Sequence, residues 1–378
     1  MQITIYENPL ERSSGFSYYA IIALMYLTKS RLMIGKFLMK KLLLYTLISL
    51  LTLSAFAQKD EFVGFYKGEA SGKGYPLGYF PDTYAEVYKG PNGYRLKVLS
   101  EIMARSETHC VIDNLIAKDG AITFENAGVL KLTGKITPAE IIADGTFKNK
   151  PLKLWFKRMN IVSPTMGMKA PAGAVVLFDG KDTSAWERVA DGEPCTWEIK
   201  DGAMVISMCE KTKKWHRNTI RTKQSFEAIR MHLEFKTPAE YNIEGRQGRG
   251  NSGVIFGGCY EVQVLDSFGA EGSWDECGSI YRMHPPKVNA SLEPEAWQTY
   301  DIEFHPAVYN GEHIVKYPTF TVWHNGVLLH KDVEVYASTS IGPRKWASFK
   351  HPRNGVQIHL QDHSNRIAYR NIWVQPIK

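Results

Sequence analysis

The spacing of apolar residues constrains the fold of this chain more than any other feature. Beyond residue 57, apolar residues alternate with polar ones or form short runs, and turn-forming residues end most of these runs. A period of two is typical of β-strands, whereas almost nothing in this part has the period of 3.6 that an amphipathic helix needs. The sequence therefore predicts an all-β protein.

The first predicted unit, residues 58–160, is a small antiparallel β domain. It contains several alternating segments of strand length. Turn signals separate some of them, at Pro91-Asn92-Gly93, Asp119-Gly120 and Asp144-Gly145. No catalytic constellation is apparent here, so the role of this unit stays open.

A linker and a larger β unit are predicted to follow. Residues 161–173 contain Pro, Gly and Met without periodicity and are interpreted as the linker. Residues 174–378 carry many further strand segments, with hairpin signals at Asp201-Gly202 and Asn325-Gly326. A length near 200 residues suits one large two-sheet sandwich better than two small domains.

The N-terminal part carries the features of an export signal. Two lysines precede the apolar run 42–53, and a small-x-small cleavage site ends at Ala57. We expect residues 39–57 to be a signal peptide cleaved after Ala57, and residues 1–38 to be an over-extended gene start. The run falls short of the roughly 20 apolar residues of a membrane span. A periplasmic or secreted protein without a stable membrane anchor is therefore expected.

Charge argues against one class of partner. The formal net charge is +7, but residues 1–57 hold six basic and two acidic residues, so the remainder carries only +3. Such a balanced surface does not indicate nucleic acid as the partner.

All five cysteines lie beyond residue 57, and no CxxC motif occurs. In an oxidising compartment Cys195 and Cys209 can pair across a hairpin, and Cys259 with Cys277 is a weaker second pair. Unpaired buried thiols are the default interpretation, so disulfide pairing stays open.

Two predicted strands have one apolar and one polar face. Glu261 and Gln263 share the polar face of the first, and His359, Gln361 and His363 share that of the second. If both faces belong to one sheet, a carboxylate and two imidazoles meet in a groove suited to proton transfer. A solvated sheet face is the alternative. Alternating His and Gln are unusual as surface residues, which slightly favours a site.

A glycine-rich loop precedes the first of these strands. Residues 245–258 place Arg249 and Asn251 among glycines, which let a backbone approach a ligand. Arg and Asn side chains can bind sugar hydroxyls or steady an oxyanion. No phosphate-binding or nucleophile-elbow motif is present. A flexible loop at a sheet edge is the alternative interpretation.

Several segments, taken in order, resemble the 3-keto-disaccharide hydrolase family. They include LFDG, GNSGVIF, YEVQVLDS, TVWHNGVLLHKD and LQDHSNRIAYRNIWV, and the resemblance covers residues 174–378. It implies a concanavalin A-like jelly roll and an enzyme that cleaves 3-keto-glycosides, including 3-keto-disaccharides. The implied reaction is C2 proton abstraction followed by elimination, either as a lyase or, with water addition, as a net hydrolase.

The resemblance also implies roles for individual residues. Glu261 and His363, with His359 close behind, are the catalytic candidates, and which is base and which acid stays open. The residues implied to bind the sugar or the enolate are Arg249, Asn251, Gln263, Asp266 and Gln361. No cofactor is certain, although Glu261 and His359 suit a divalent metal ion. The family further implies a carbohydrate substrate and a functional link to a sugar 3-oxidoreductase.

Two other functions remain as alternatives. A non-catalytic, lectin-like carbohydrate-binding module is one, because jelly rolls host many lectins. An ordinary glycosidase is the other, but a retaining one needs two carboxylates about 5 Å apart, and Gln263 stands where the second is expected.

One departure from the family is Ser364-Asn365 in place of a glycine after His363. Asn365 is expected to take that left-handed turn.

Overall fold

The computed structural model describes residues 59–71, 83–105, 108–128, 130–208, 218–243, 246–340 and 349–377. The predicted signal peptide, 39–57, and the residues before it lie outside these ranges. Within them, strands dominate. The described residues form no α-helix, and their only helical element is the short 3-10 turn Arg246–Gly248. No helix in these ranges is long and apolar enough to cross a membrane. The all-β prediction is confirmed.

The first nine strands form one antiparallel sheet. Their bounds are β1 Gly64–Ser71, β2 Thr83–Gly90, β3 Gly93–Leu99, β4 Thr108–Leu115, β5 Ala117–Lys118, β6 Ala121–Ala127, β7 Leu130–Ile136, β8 Glu140–Phe147 and β9 Lys150–Met159. Their order is β4-β3-β2-β1-β9-β8-β7-β6-β5. Because β4 also lies against β6, the sheet curls around its own apolar core.

Two of the three turns predicted in this sheet are confirmed. Pro91-Asn92-Gly93 joins β2 to β3, and Asp119-Gly120 joins β5 to β6. The turn predicted at Asp144-Gly145 is wrong, because both residues lie inside β8. A Cβ on Gly145 would sit 1.8 Å from the carbonyl oxygen of Lys131 on β7. Glycine here permits the close approach of a neighbouring strand.

The remaining strands form a two-sheet sandwich. Their bounds are β10 Val175–Phe178, β11 Trp186–Arg188, β12 Glu198–Lys200, β13 Ala203–Val205, β14 Ile220–Thr222, β15 Ile229–Lys236, β16 Ser252–Phe256, β17 Tyr260–Val264, β18 Gln298–His305, β19 Val308–Asn310, β20 His313–Lys316, β21 Thr319–His324, β22 Val327–Glu334, β23 Ile358–Leu360 and β24 Ala368–Pro376. One sheet runs β12-β13-β24-β15-β18-β21-β22, with β10 also paired to β24. The other runs β11-β14-β23-β16-β17, and β19 and β20 form a separate hairpin.

The core of the sandwich lies between these two sheets. Phe235 and Phe304 of the larger sheet and Val254, Phe256 and Leu360 of the smaller one belong to a single buried cluster. Removal of these apolar surfaces from water is the main force that holds the sheets together. The predicted jelly-roll sandwich is confirmed, and both predicted hairpins occur, with Asp201-Gly202 and Asn325-Gly326 at positive φ.

The two β units share buried contacts. Phe268, which follows β17, lies within the core of the first sheet, where its ring makes an edge contact with Phe65 at 5.0 Å between centroids. Leu292 belongs to the same cluster. Residues of the sandwich therefore complete the core of the nine-stranded sheet.

The segment predicted as a linker lies along the eight-stranded sheet. The Gly167 amide donates to a Glu234 carboxylate oxygen at 2.7 Å, and the Thr165 hydroxyl donates to Asp301 at 2.7 Å. The Asn371 side chain donates to the Met168 carbonyl at 3.0 Å. Side chains of the sheet thus fix this segment in place.

Cys259 and Cys277 are both free and buried, so the weaker of the two suggested disulfides does not form. The Cys277 sulfur instead lies 3.0 Å from the Tyr300 hydroxyl. Cys195 is also a free thiol, and its suggested partner Cys209 lies outside the described residues.

We predict that Phe268→Ala lowers the free energy of unfolding by about 3–5 kcal/mol, because it opens a cavity in a core that both β units share. Urea titration followed by circular dichroism measures this loss. Phe268→Leu, which keeps most of the apolar volume, serves as the control and should lose less. Equal stability of Phe268→Ala and the wild type would contradict the shared core.

Candidate functional site

A cavity of about 240 Å³ lies over the outer face of the five-stranded sheet, the face turned away from the sandwich core. Nine side chains line it: Gln247, Asn251, Glu261, Gln263, Tyr281, Arg282, Ser340, Gln361 and His363. The structure therefore brings together five of the eight residues singled out in the sequence. The other three, Arg249, Asp266 and His359, lie outside this lining.

The pairing of three strands brings these residues together. β16 lies between β17 and β23, and Gly253 pairs with Gln263 on one side. On the other side, the Gln361 amide donates to the Gly253 carbonyl at 3.0 Å. Side chains at paired positions point to the same face of a sheet. Gln263 and Gln361 therefore flank Gly253 on the outer face.

Glu261 lies one pair further along the same face and its carboxyl group leans over Gly253. A Cβ on Gly253 would come within 2.3 Å of the Glu261 Oε1 atom. The absence of a side chain at residue 253 therefore makes the space that this carboxylate occupies. The φ of Gly253 is not in the left-handed region, so its backbone conformation does not require glycine. The requirement comes from the close approach of the Glu261 carboxyl group.

The Glu261 carboxylate is almost completely desolvated. The residue is 9% exposed, and burial raises its pKa to about 7, although the positive charge of Arg282 acts in the opposite direction. Among the described residues, none donates a hydrogen bond to this carboxylate. A carboxylate with little hydration and no donor is a stronger base than an ordinary glutamate.

An ordered set of amides lies beside it. Gln263 donates through Nε2 to the Asn251 Oδ1 atom at 3.0 Å, and Asn251 donates through Nδ2 to the Gln247 Oε1 atom at 3.0 Å. The backbone amide of Asn251 also donates to the Asn365 Oδ1 atom at 3.0 Å. These bonds fix the orientation of the side chains, so this wall of the cavity is ordered before any ligand enters.

Gln361 adds an acceptor to the cavity. Its Oε1 atom is buried and has no hydrogen-bond partner in the described part of the chain. Buried polar atoms are seldom left unpaired in proteins. Together with Glu261, this oxygen gives the cavity two acceptors that a ligand carrying hydroxyl groups can satisfy.

His359 faces the outer side of the sheet but not the cavity. It pairs with Ile255, which pairs in turn with Glu261, so a whole strand separates the two side chains. Two strand spacings amount to roughly 10 Å. Burial and the neighbouring Arg221 lower the pKa of His359 to about 4. The imidazole is therefore neutral at pH 7 and lies beside an ion pair of Arg221 with Glu187.

Arg249 and Asp266 form a buried ion pair away from the cavity. The Arg249 Nε atom lies 2.6 Å from the Asp266 carboxylate, and both side chains are almost fully buried. Arg249 also donates to the carbonyl of Lys89 and lies over the ring of Tyr88, both in the nine-stranded sheet. Burial raises the pKa of Asp266 to about 6, against the opposing effect of Arg249. The pair thus joins the sandwich to the first sheet.

His363 lines the cavity from just before a bend at residues 364–365, beyond β23, and this strand is shorter than the segment predicted from sequence. The next residue, Ser364, has a φ of 73°, so Ser364 takes the left-handed conformation expected of Asn365. Asn365 instead donates to Glu240 and accepts from the Asn251 amide. An Asp362 carboxylate oxygen supports the bend by accepting from the Ser364 amide at 3.0 Å.

Four cavity residues were not found from the sequence: Gln247, Tyr281, Arg282 and Ser340. All four lie outside the β-strands, where no periodic pattern identifies the face of a side chain. An isolated bridge between Val262 and Ile280 brings the loop that carries Tyr281 and Arg282 alongside β17. The backbone amide of Tyr281 donates to the Glu261 carbonyl at 3.0 Å. Tyr281 and Arg282 are far from β17 in sequence, so no sequence signal identified them.

The suggested metal ligands do not converge. Glu261 and His359 are separated by Ile255. Within the described ranges, no group of three or more His, Cys, Asp or Glu side chains is arranged to hold a metal ion.

Three of the solved structures similar to this chain come from Parabacteroides distasonis ATCC 8503. One candidate glycosyl hydrolase is 35% identical, with 55% of this chain and 86% of the other covered and a TM-score of 0.49. A second is 18% identical, with 55% and 95% covered and a TM-score of 0.38. A third is 19% identical, with 54% and 99% covered and a TM-score of 0.38. A comparison with curated proteins gives no match.

A family model described as the 3-keto-alpha-glucoside-1,2-lyase-like domain matches residues 173–375, more than half of the chain. The matched region contains the sandwich except for the last residue of β24, Pro376, and includes every residue that lines the cavity. It supports the assignment of a carbohydrate-active enzyme and confirms the resemblance found in the sequence. The chain belongs to the 3-keto-alpha-glucoside-1,2-lyase-like domain family.

Proposed function

We propose that this protein cleaves 3-keto-glycosides, including 3-keto-disaccharides, by removing the C2 proton and eliminating the group at C1. The family name supports the substrate class. The observation that carries the proposal is the desolvated Glu261 carboxylate, to which no described residue donates a hydrogen bond, at the wall of a cavity lined by amides. A carbon acid needs such a base, together with neighbouring groups that hold the oxygen of the resulting enolate.

Glu261 acts as the base in the first step. The C3 ketone acidifies the C2 hydrogen, and a carboxylate with a pKa of about 7 is a stronger base than one near 4.5 while still partly ionised at neutral pH. The C2–H electrons become a C2=C3 bond and the ketone becomes an enolate. The Arg282 cation and the side-chain amide of Gln361 line the cavity and can stabilise this charge, whereas both N–H groups of Gln263 already donate, to Asn251 and to the Val264 carbonyl.

His363 supplies the acid in the second step. The enolate re-forms the C3 ketone, a C1=C2 bond forms, and the C1–O bond breaks as the leaving oxygen takes a proton from His363. Both proton-transfer groups line the same cavity. Addition of water across C1=C2 then places hydroxyl on C1 and hydrogen on C2, which makes the overall reaction a hydrolysis.

The cellular setting proposed for this reaction follows from its chemistry and from the N-terminal sequence. A 3-keto sugar must be supplied by an oxidoreductase that acts on the C3 hydroxyl. The apolar run 42–53 and the site ending at Ala57 favour export to the periplasm or the medium.

We predict that Glu261→Gln lowers kcat on a 3-keto-glucoside by about 100- to 10,000-fold, because the amide cannot accept the C2 proton. Steady-state kinetics measure this loss, with release of the leaving group as the readout. Glu312→Gln, which changes a highly exposed glutamate, is the matched control and should retain wild-type rates.

The unoxidised parent glycoside separates the alternatives in the same assay. The proposal predicts turnover of the 3-keto form alone, since only a ketone acidifies C2. Turnover of the parent would identify an ordinary glycosidase. Binding of either sugar without turnover would identify a carbohydrate-binding module.

We predict that Gly253→Ala lowers kcat at least tenfold while the protein still folds. The new methyl group would lie 2.3 Å from Glu261 Oε1 and 3.0 Å from its Cδ and Cγ atoms, so the Glu261 side chain has to move, whereas no backbone atom is among the three nearest contacts. KM should change less than kcat, because the displaced group acts on the reacting carbon. Gly128→Ala, where the nearest atom is 3.5 Å away, is the control. An unchanged kcat in Gly253→Ala would rule out this placement of the base.

We predict that Glu261→Gln stabilises the fold at neutral and alkaline pH. The folded carboxyl has a pKa of about 7 against an ordinary value near 4.5, so the folded state binds the proton more tightly. Stability from this group is therefore present at low pH and declines between pH 4.5 and 7. The stability gap between variant and wild type should grow over that range to at most about 3 kcal/mol, then stay constant. Thermal melts from pH 4 to 9 measure it, and a gap independent of pH would contradict the raised pKa.

A further inference from the structure

Trp274 lies beside the cavity with much of its ring in solvent. It is 47% exposed, and its ring centroid is 5.9 Å from that of Tyr281, which lines the cavity. The two ring planes are inclined at 57°. One aromatic contact therefore connects the cavity to an exposed indole surface.

The loop that carries Trp274 is held by cavity residues. The Arg282 amide donates to the Trp274 carbonyl at 3.1 Å, and the Gln247 side chain donates to the Asp275 carbonyl at 2.6 Å. Glu276 closes the loop by accepting from the Gly272 amide at 2.6 Å. The backbone that carries the indole is thus held to cavity residues by two hydrogen bonds.

Tyr281 is fixed as well. The Arg282 guanidinium lies 5.4 Å from the centroid of its ring, a cation–π contact. The Tyr281 amide donates to the Glu261 carbonyl at 3.0 Å. A continuous set of backbone bonds therefore runs from the strand of the proposed base to the exposed indole.

The size of the cavity decides what can reach this surface. At about 240 Å³ it is smaller than the roughly 300–1,000 Å³ of pockets that enclose drug-sized ligands. It suits one sugar ring, and a second ring on the same substrate has to lie outside. The rim carried by Tyr281 and Trp274 is an aromatic surface available to that second ring, and aromatic faces bury large apolar areas.

We propose that Trp274, with Tyr281, is the platform for the leaving group, and that the enzyme selects substrates whose leaving group is a ring, either a second sugar or an aromatic aglycone. This inference rests on the proposed function, since it takes the oxidised ring to be the one inside the cavity. Stacking against the indole would increase binding of such substrates and contribute nothing to a short alkyl glycoside.

The test compares two substrates: the 3-keto form of a glucose disaccharide and methyl 3-keto-glucoside. Trp274→Ala should raise KM for the disaccharide about tenfold and change KM for the methyl glycoside less than twofold. Trp274→Phe should retain most of the preference. Trp155→Ala is the matched control. Trp155 is 49% exposed on β9 of the nine-stranded sheet, so its replacement should change KM for neither substrate.

A binding measurement separates this inference from the proposed function. Calorimetric titration of Glu261→Gln, with and without Trp274→Ala, reports affinity for both substrates whether or not turnover occurs. Weaker binding of the disaccharide alone is the expected result. Equal affinities with and without the indole, or equal losses for both substrates, would overturn the platform. Wild-type protein that turns over neither substrate would overturn the proposed reaction instead.

Discussion

The backbone pairing of β17, β16 and β23 is the constraint on which the site depends. It sets Gln263, Gly253 and Gln361 side by side on the outer face, and it leaves the Glu261 carboxylate to occupy the space over the glycine. A shift of one residue in any of these strands would turn its polar side chains into the core. The core contacts of Val254 and the other buried residues therefore also fix the geometry of the proposed chemistry.

Desolvation makes the Glu261 carboxylate a stronger base, and it also lowers the stability of the folded protein when the group is ionised. Burial disfavours the charged carboxylate and raises its pKa to about 7, and no described residue offsets this with a hydrogen bond. Perturbed groups of this kind are common at functional sites. Proteins often accept reduced stability at such positions because activity requires it. The surrounding amides of Asn251 and Gln263 stay ordered through their own hydrogen bonds.

Alternation along strands was enough to predict the all-β fold, the common face of Glu261 and Gln263, and the polar face of the second strand that carries Gln361, because a strand repeats every two residues. It left open whether the two faces belong to one sheet. It does not give the order of strands in a sheet. β16 lies between the two polar strands, which places His359 across from Ile255 and outside the cavity lining. Loop positions and contacts between the two β units also leave no periodic signal. For that reason neither the cavity position of Tyr281 nor the packing of Arg249 against the first sheet could be predicted.

The most direct test of the account is a single-turnover measurement with a 3-keto-glucoside that carries deuterium at C2. If Glu261 removes the C2 proton in the step that controls cleavage, the deuterated substrate should react more slowly than the ordinary one. Glu261→Gln should abolish this reaction in both forms. Equal single-turnover rates for the two substrates, with leaving-group release intact and the deuterium still at C2 of the released sugar, would contradict proton abstraction from C2 as the chemistry of this site.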